Sequence, residues 1–115
     1  MVRIATQNRV GDSLVVAPIV ELEAHLWREL QREVVEGAAQ AAVRRVIFDL
    51  SGVALLDVDD VRALEDFDVM LRLVGSSLIC VGLAAHVVAT IVAVHDGCVR
   101  FATASDIAAA LEDVP

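Results

Sequence analysis

The chain has few aromatic side chains, 3% of its 115 residues, although 57% are hydrophobic. Alanine, valine and leucine must therefore fill the interior, which favours helices packed on a sheet. It also has few cations. Nine Lys and Arg stand against seventeen Asp and Glu, for a formal net charge of −8. That balance argues against nucleic acid, whose phosphates need clustered Lys and Arg, and against an anionic membrane surface. No apolar run reaches the ~18–20 residues that cross a bilayer; the longest candidate, Ser77 to Val94, is broken by Gly82, His86 and Thr90. A long apolar leader is absent from "MVRIATQNRV", so the reading is cytoplasmic. The two cysteines, Cys80 and Cys98, form no C-x-x-C pair and have no zinc spacing with histidine. Both are expected as buried free thiols. No linker, repeat or low-complexity tract divides the chain, and 1–115 is expected to be one domain.

What is present is an alternation of periods. Residues 2–7 alternate and predict a half-buried strand, with a turn at Gly11-Asp12 and a second strand at 14–18 stopped by Pro18. From Ile19 to Glu36 the period becomes helical, with Leu22, Leu26 and Leu30 on one stripe and Gly37 as the stop. Trp27 lies beside that stripe, expected at the core's edge with its indole N–H wet. "VIFDL" (46–50) and "SLICVG" (77–82) read as strands buried on both faces. Helices are predicted over 58–74 and 84–95. A short edge strand follows at 98–101, then a last helix capped by Thr103 or Ser105. The order β-β-α-β-α-β-α-β-α predicts an α/β fold with a mixed, mostly parallel sheet, an N-terminal hairpin and helices packed on it.

The most informative stretch is "LLDVDDVRAL" (55–64), where Asp57, Asp59 and Asp60 gather at a predicted helix start. An aspartate there can cap free N–H groups and meet the positive end of the helix dipole. Three acids could alternatively hold Mg²⁺ or Ca²⁺, which would make a small metal-dependent enzyme conceivable. An EF-hand's glycine and downstream glutamate are missing, however. A nucleophile elbow, a phosphate-binding glycine loop and a dinucleotide fingerprint are also missing, and His25, His86 and His95 are scattered.

"VIFDLSGVALLDVDDVRAL" resembles the central segment of STAS domains, the fold of bacterial anti-sigma factor antagonists. The resemblance continues through "MLRLVGSSLICVGLAAHVVATIV" and "VRFATASDIAAALE". It is nearest to the stressosome branch, of RsbS and RsbR type, on Leu73 to Gly75, Val81 to Leu83 and Thr90 to Val92. The resemblance implies a non-catalytic, cofactor-free module for stress signalling and transcription regulation. Its partners would be other STAS proteins, copies of itself in a homo-oligomer or larger assembly, and a switch kinase or anti-sigma factor of the histidine-kinase-like ATPase fold.

In that family a Ser or Thr follows the aspartate of the loop, opens the helix and is phosphorylated. Here that position is Val58, which has no hydroxyl. The resemblance places the partner-binding surface at Asp57, Val58, Asp59, Asp60, Arg62, Glu65 and Asp66. It makes Thr90 a candidate second phosphosite, beside the plainer role of a helical threonine bonding to its own backbone. Ser51 could also accept phosphate, or be a turn residue only. Asp59 could supply a standing negative charge in place of phosphate. The alternative function is a STAS domain that binds a small apolar ligand or senses one.

Overall fold

The hairpin sets the first edge of the sheet. In a computed structural model, which describes residues 4–53, 56–84, 87–89, 91 and 99–112, strands β1 (Ala5–Val10) and β2 (Ser13–Pro18) pair antiparallel from Val10↔Ser13 to Ala5↔Pro18. Gly11, at φ +60, turns the chain between them. Tight hairpin turns need positive φ, which glycine adopts without a Cβ penalty. Of the strand predicted over 2–7, Ala5 to Gln7 belong to β1, which runs on to Val10; residues 2 and 3 lie outside the described residues. Ile4 and Ala5 are both buried and residues 7–10 are exposed on this edge strand.

Helix α1 spans Ala24–Ala41, not Ile19–Glu36. After Pro18 the chain stays irregular through Glu23, where no side chain caps the helix. At the other end α1 runs through Gly37. Ala38, Ala39 and Ala41 are strong helix formers, and the helix gains a buried contact at Ala38, 1% exposed. Against that, one interior glycine costs only about 1 kcal/mol. The stop comes at Ala42, in the left-handed conformation (φ 54). Arg9 of the hairpin donates from Nη1 to the carbonyl of Ala41 at 2.8 Å, satisfying one of the free carbonyls at the helix end.

Strand β3 (Arg45–Asp49) pairs parallel with β2 and with β4 (Ser77–Val81), which pairs parallel with β5 (Ala102–Ala104); the order is β1-β2-β3-β4-β5. Helix α2 (Val58–Leu73) joins β3 to β4, and α3 (Ile107–Glu112) follows β5. Residues 87–89 and 91 are helical, within the predicted third helix.

The period-2 alternation of β3 and β4 divides the core. Val46, Phe48, Leu78 and Cys80 face α1 and α2. Ile47, Ile79 and Val81 face α3 through Ala110, Ile107 and Leu111. Both strands are thus buried on both faces, as their uninterrupted apolar runs predict. Arg45 Nη1 fastens α3 by donating to the Ala110 carbonyl at 2.9 Å.

Two expectations at the C-terminal end are corrected. The edge strand is 102–104, not 98–101. Arg100 and Phe101 lie in a bend that buries the Phe101 ring, 5% exposed. Helix α3 is capped by neither Thr103 nor Ser105. Asp106 accepts from the Ala109 N–H at 2.8 Å, because the helix begins at Ile107 and only the residue just before it can reach that donor.

Candidate functional site at the start of α2

Strand β3 delivers the chain to the site. The buried Leu50 donates its N–H to the Val81 carbonyl at 2.9 Å, and its own carbonyl accepts from Val53 at 3.0 Å. The Asp49 carboxylate accepts from the Ser51 N–H at 3.0 Å. Ser51 is an exposed turn residue. Its backbone lies against Gly82, where an added Cβ would fall 2.8 Å from the Ser51 nitrogen, at φ +75. Glycine at 82 thus lets the loops after β3 and β4 touch.

The acids at 57 and 60 hold the helix start. Asp57 is the N-cap and accepts from the Asp60 N–H at 2.8 Å; Asp60 answers by accepting from the Asp57 N–H at 3.0 Å. This reciprocal pair is a capping box. The other oxygen of Asp60 accepts from Trp27 Nε1 of α1 at 2.8 Å. Trp27 is only 5% exposed, so the expected wet position at the core's edge is corrected. Its N–H is satisfied by a carboxylate, which lets the ring enter the core. The ring stacks on Phe48 at 5.7 Å, and Phe48 meets Phe67 edge-on at 5.8 Å. Gln31, also buried, donates to the Ala63 carbonyl at 2.9 Å. These bonds tie α1 to the first two turns of α2.

The remaining surface residues fall on two sides. Asp57, Asp59, Arg62 and Asp66 are exposed and line a groove of about 930 Å³ between the segment before α1 and the start of α2. Asp60 lines it too, with both carboxylate oxygens already engaged. Val58, the first residue of α2, and Glu65 are half-buried and lie outside the groove. Thr90, Cys98, His86 and His95 lie outside the described residues. Among the described residues no three His, Cys, Asp or Glu side chains are placed to hold a metal ion.

Two polar groups went unnoticed in the sequence. One is the Trp27–Asp60 link, which has no sequence signal because its partners are 33 residues apart. The other is Asp68, 2% exposed, which accepts from the Leu78 N–H at 3.1 Å and from Arg72 Nε at 2.9 Å. It had a signal: it sits in the apolar stripe of Val61, Leu64 and Leu71, four residues before an arginine. Burial, and after it the nearby Asp68 carboxylate, push the Cys80 thiol well above its ordinary range. Cys80 therefore stays a neutral packing residue.

A profile of the STAS domain matches residues 2–111. The chain belongs to the STAS domain family. Its fold is similar to that of solved structures. A serine-to-glutamate variant of RsbS from Moorella thermoacetica is 20% identical, with a TM-score of 0.74 over 94% of this chain and 92% of that one. A chain of the stressosome, a signal integration and transduction hub, is 19% identical, with a TM-score of 0.70 over 93% of both chains. The anti-sigma factor antagonist SpoIIAA in its unphosphorylated form is 15% identical, with a TM-score of 0.68 over 95% of this chain and 94% of that one. Likeness at these identities is one of fold. No curated protein sequence matches the chain. Among the described residues no helix is long and apolar enough to cross a membrane.

Proposed function

We propose that this STAS domain is a non-catalytic protein-interaction module of the anti-sigma factor antagonist and stressosome kind. Its helix start cannot be switched by phosphorylation. The observation that carries the reading is Val58. It is the first residue of α2, directly after the N-cap, the place where family resemblance puts a phosphorylated Ser or Thr. A phosphate there would add about −1.5 to −2 charge at a helix N-terminus; valine offers no oxygen to receive it. The capping box and the Trp27 bond also hold this turn in one arrangement. Partners would be other STAS proteins, further copies of this chain and an ATPase-type switch kinase. They would meet Asp57, Val58, Asp59, Arg62, Glu65 and Asp66. Asp60 supports that surface from within, since both its oxygens are engaged. Asp59, exposed one residue beyond Val58, supplies a single permanent charge.

The test compares the natural chain with Val58→Ser in the presence of the cognate kinase and ATP, followed by intact mass and peptide mapping. The expected result is phosphate on residue 58 of the variant and none at the helix start of the natural chain. A variant that takes up no phosphate would mean that the surface around residue 58 is not one the kinase recognises. Phosphate on Thr90 of the natural chain would place the switch in the later helix. A second reading, binding of a small apolar molecule, draws on the groove's volume of about 930 Å³, which is within the range of small-molecule sites. An unexpected mass released from the purified chain would favour it.

A further inference from the structure

The groove beside α2 has two walls of different character. Its lining includes the buried Trp27, Leu50 and Leu56 and the half-buried Ala63. On the near rim, in the irregular segment before α1, Ile19 and Val20 are 53% and 38% exposed. Two adjacent large apolar side chains left in water beside a hydrophobic depression form a patch rather than scattered exposure.

Charge surrounds this apolar strip. Six carboxylates line the groove, from Glu21, Glu23, Asp57, Asp59, Asp60 and Asp66, against the guanidiniums of Arg28 and Arg62. Asp60 is spent on internal bonds, but the other five carboxylates belong to exposed residues. An apolar centre within a charged rim is the layout of a protein docking surface. The sign of the rim disfavours nucleic acid, anionic lipid and acidic peptides.

We propose that this groove docks a cationic, amphipathic segment of a partner protein. Apolar side chains would seat between Ile19 and Val20 on one side and Leu56 on the other, and Lys or Arg would lie along Glu21, Glu23, Asp57 and Asp59. The proposal rests on reading the chain as an interaction module. It adds the segment before α1 to the surface at the start of α2, and it specifies the chemistry of what binds. The carboxylates steer the approach and set the salt dependence. The apolar strip holds the segment once seated.

The test uses the purified full chain, so that its failure leaves the broader reading standing. The probe is a short labelled peptide of leucine and lysine at helical amphipathic spacing. Its counterpart has glutamate in place of lysine. Binding is followed by label anisotropy and by emission of Trp27, the chain's one tryptophan, which lines the groove. The expected result is saturable binding of the lysine peptide that weakens with salt, and none of the glutamate peptide. Affinity should fall at least about tenfold in Glu21→Lys/Glu23→Lys and in Ile19→Ser/Val20→Ser. A charge-matched control, Glu29→Lys/Glu33→Lys, changes exposed α1 positions that do not line the groove and should bind within about twofold of the natural chain. No binding, equal binding of both peptides, or equal losses in the control and the groove variants would each overturn the proposal. So would a tightly held small molecule that the peptide cannot displace.

Discussion

The two helices that border the groove begin in opposite ways. Helix α2 starts with a reciprocal pair of aspartates, and one of them also holds the indole of α1. Helix α1 starts at Glu23 with no side-chain cap, after a segment fastened to the sheet by the Ile19 N–H on the Ile4 carbonyl. Among the described residues, one wall of the groove is thus built from interlocked hydrogen bonds between side chain and backbone, the other from a short stretch without such an interlock. In the docking role proposed above, the interlocked wall would set a defined register for what is received. The large apolar side chains next to the two starts also differ in exposure. Leu56, beside the capped start, is buried, whereas Ile19 and Val20, beside the uncapped one, are not.

The comparison can be broken most severely at the residue that joins the two helices. Trp27→Ala removes the stacked ring and leaves a cavity beside Phe48. It should cost about 3–5 kcal/mol, read as a lower midpoint in urea unfolding. Asp60→Ala keeps the ring but leaves the buried indole N–H and the Asp57 N–H without this acceptor. About 1–3 kcal/mol should be lost, with a shift in Trp27 emission that Asp59→Ala does not produce. Asp57→Ala removes only the cap, and thermal unfolding should report a loss of about 0.5–2 kcal/mol. The smallest change runs the other way. Glu23→Ser gives α1 the cap it lacks, in a backbone already extended at φ −79 and ψ 167. It should stabilise the chain by up to about 1 kcal/mol. A loss there instead would mean that Glu23 holds the helix start in some other way.

Much of the fold was legible because it rests on local pattern. The double-faced burial of β3 and β4, the end of α2 before Gly75 and the hairpin turn at Gly11 all follow from short-range signals. The capping role of Asp57 was legible for the same reason, since a cap and its donors lie within one turn. What escaped was set by distant contact. The burial of Trp27 depends on a carboxylate on another helix. The extension of α1 past Gly37 depends on Ala38 finding the core. The late onset of α1 reflects Ile19 bonding to Ile4, which no periodicity over 19–36 can reveal. The groove was illegible for the same reason, because its two walls are some thirty-five residues apart in the chain. The short edge strand was misplaced because "CVRF" and "ATA" are both too brief for alternation to decide between them, and the burial of Phe101 decided it.

The most direct measurement is affinity capture of this chain from its native cell. Mass spectrometry would identify the partners and map phosphate on the chain itself. The account predicts recovery of other STAS proteins together with an ATPase-type kinase, and no phosphate at the start of α2. Capture of neither class, with the chain intact and folded, would contradict it.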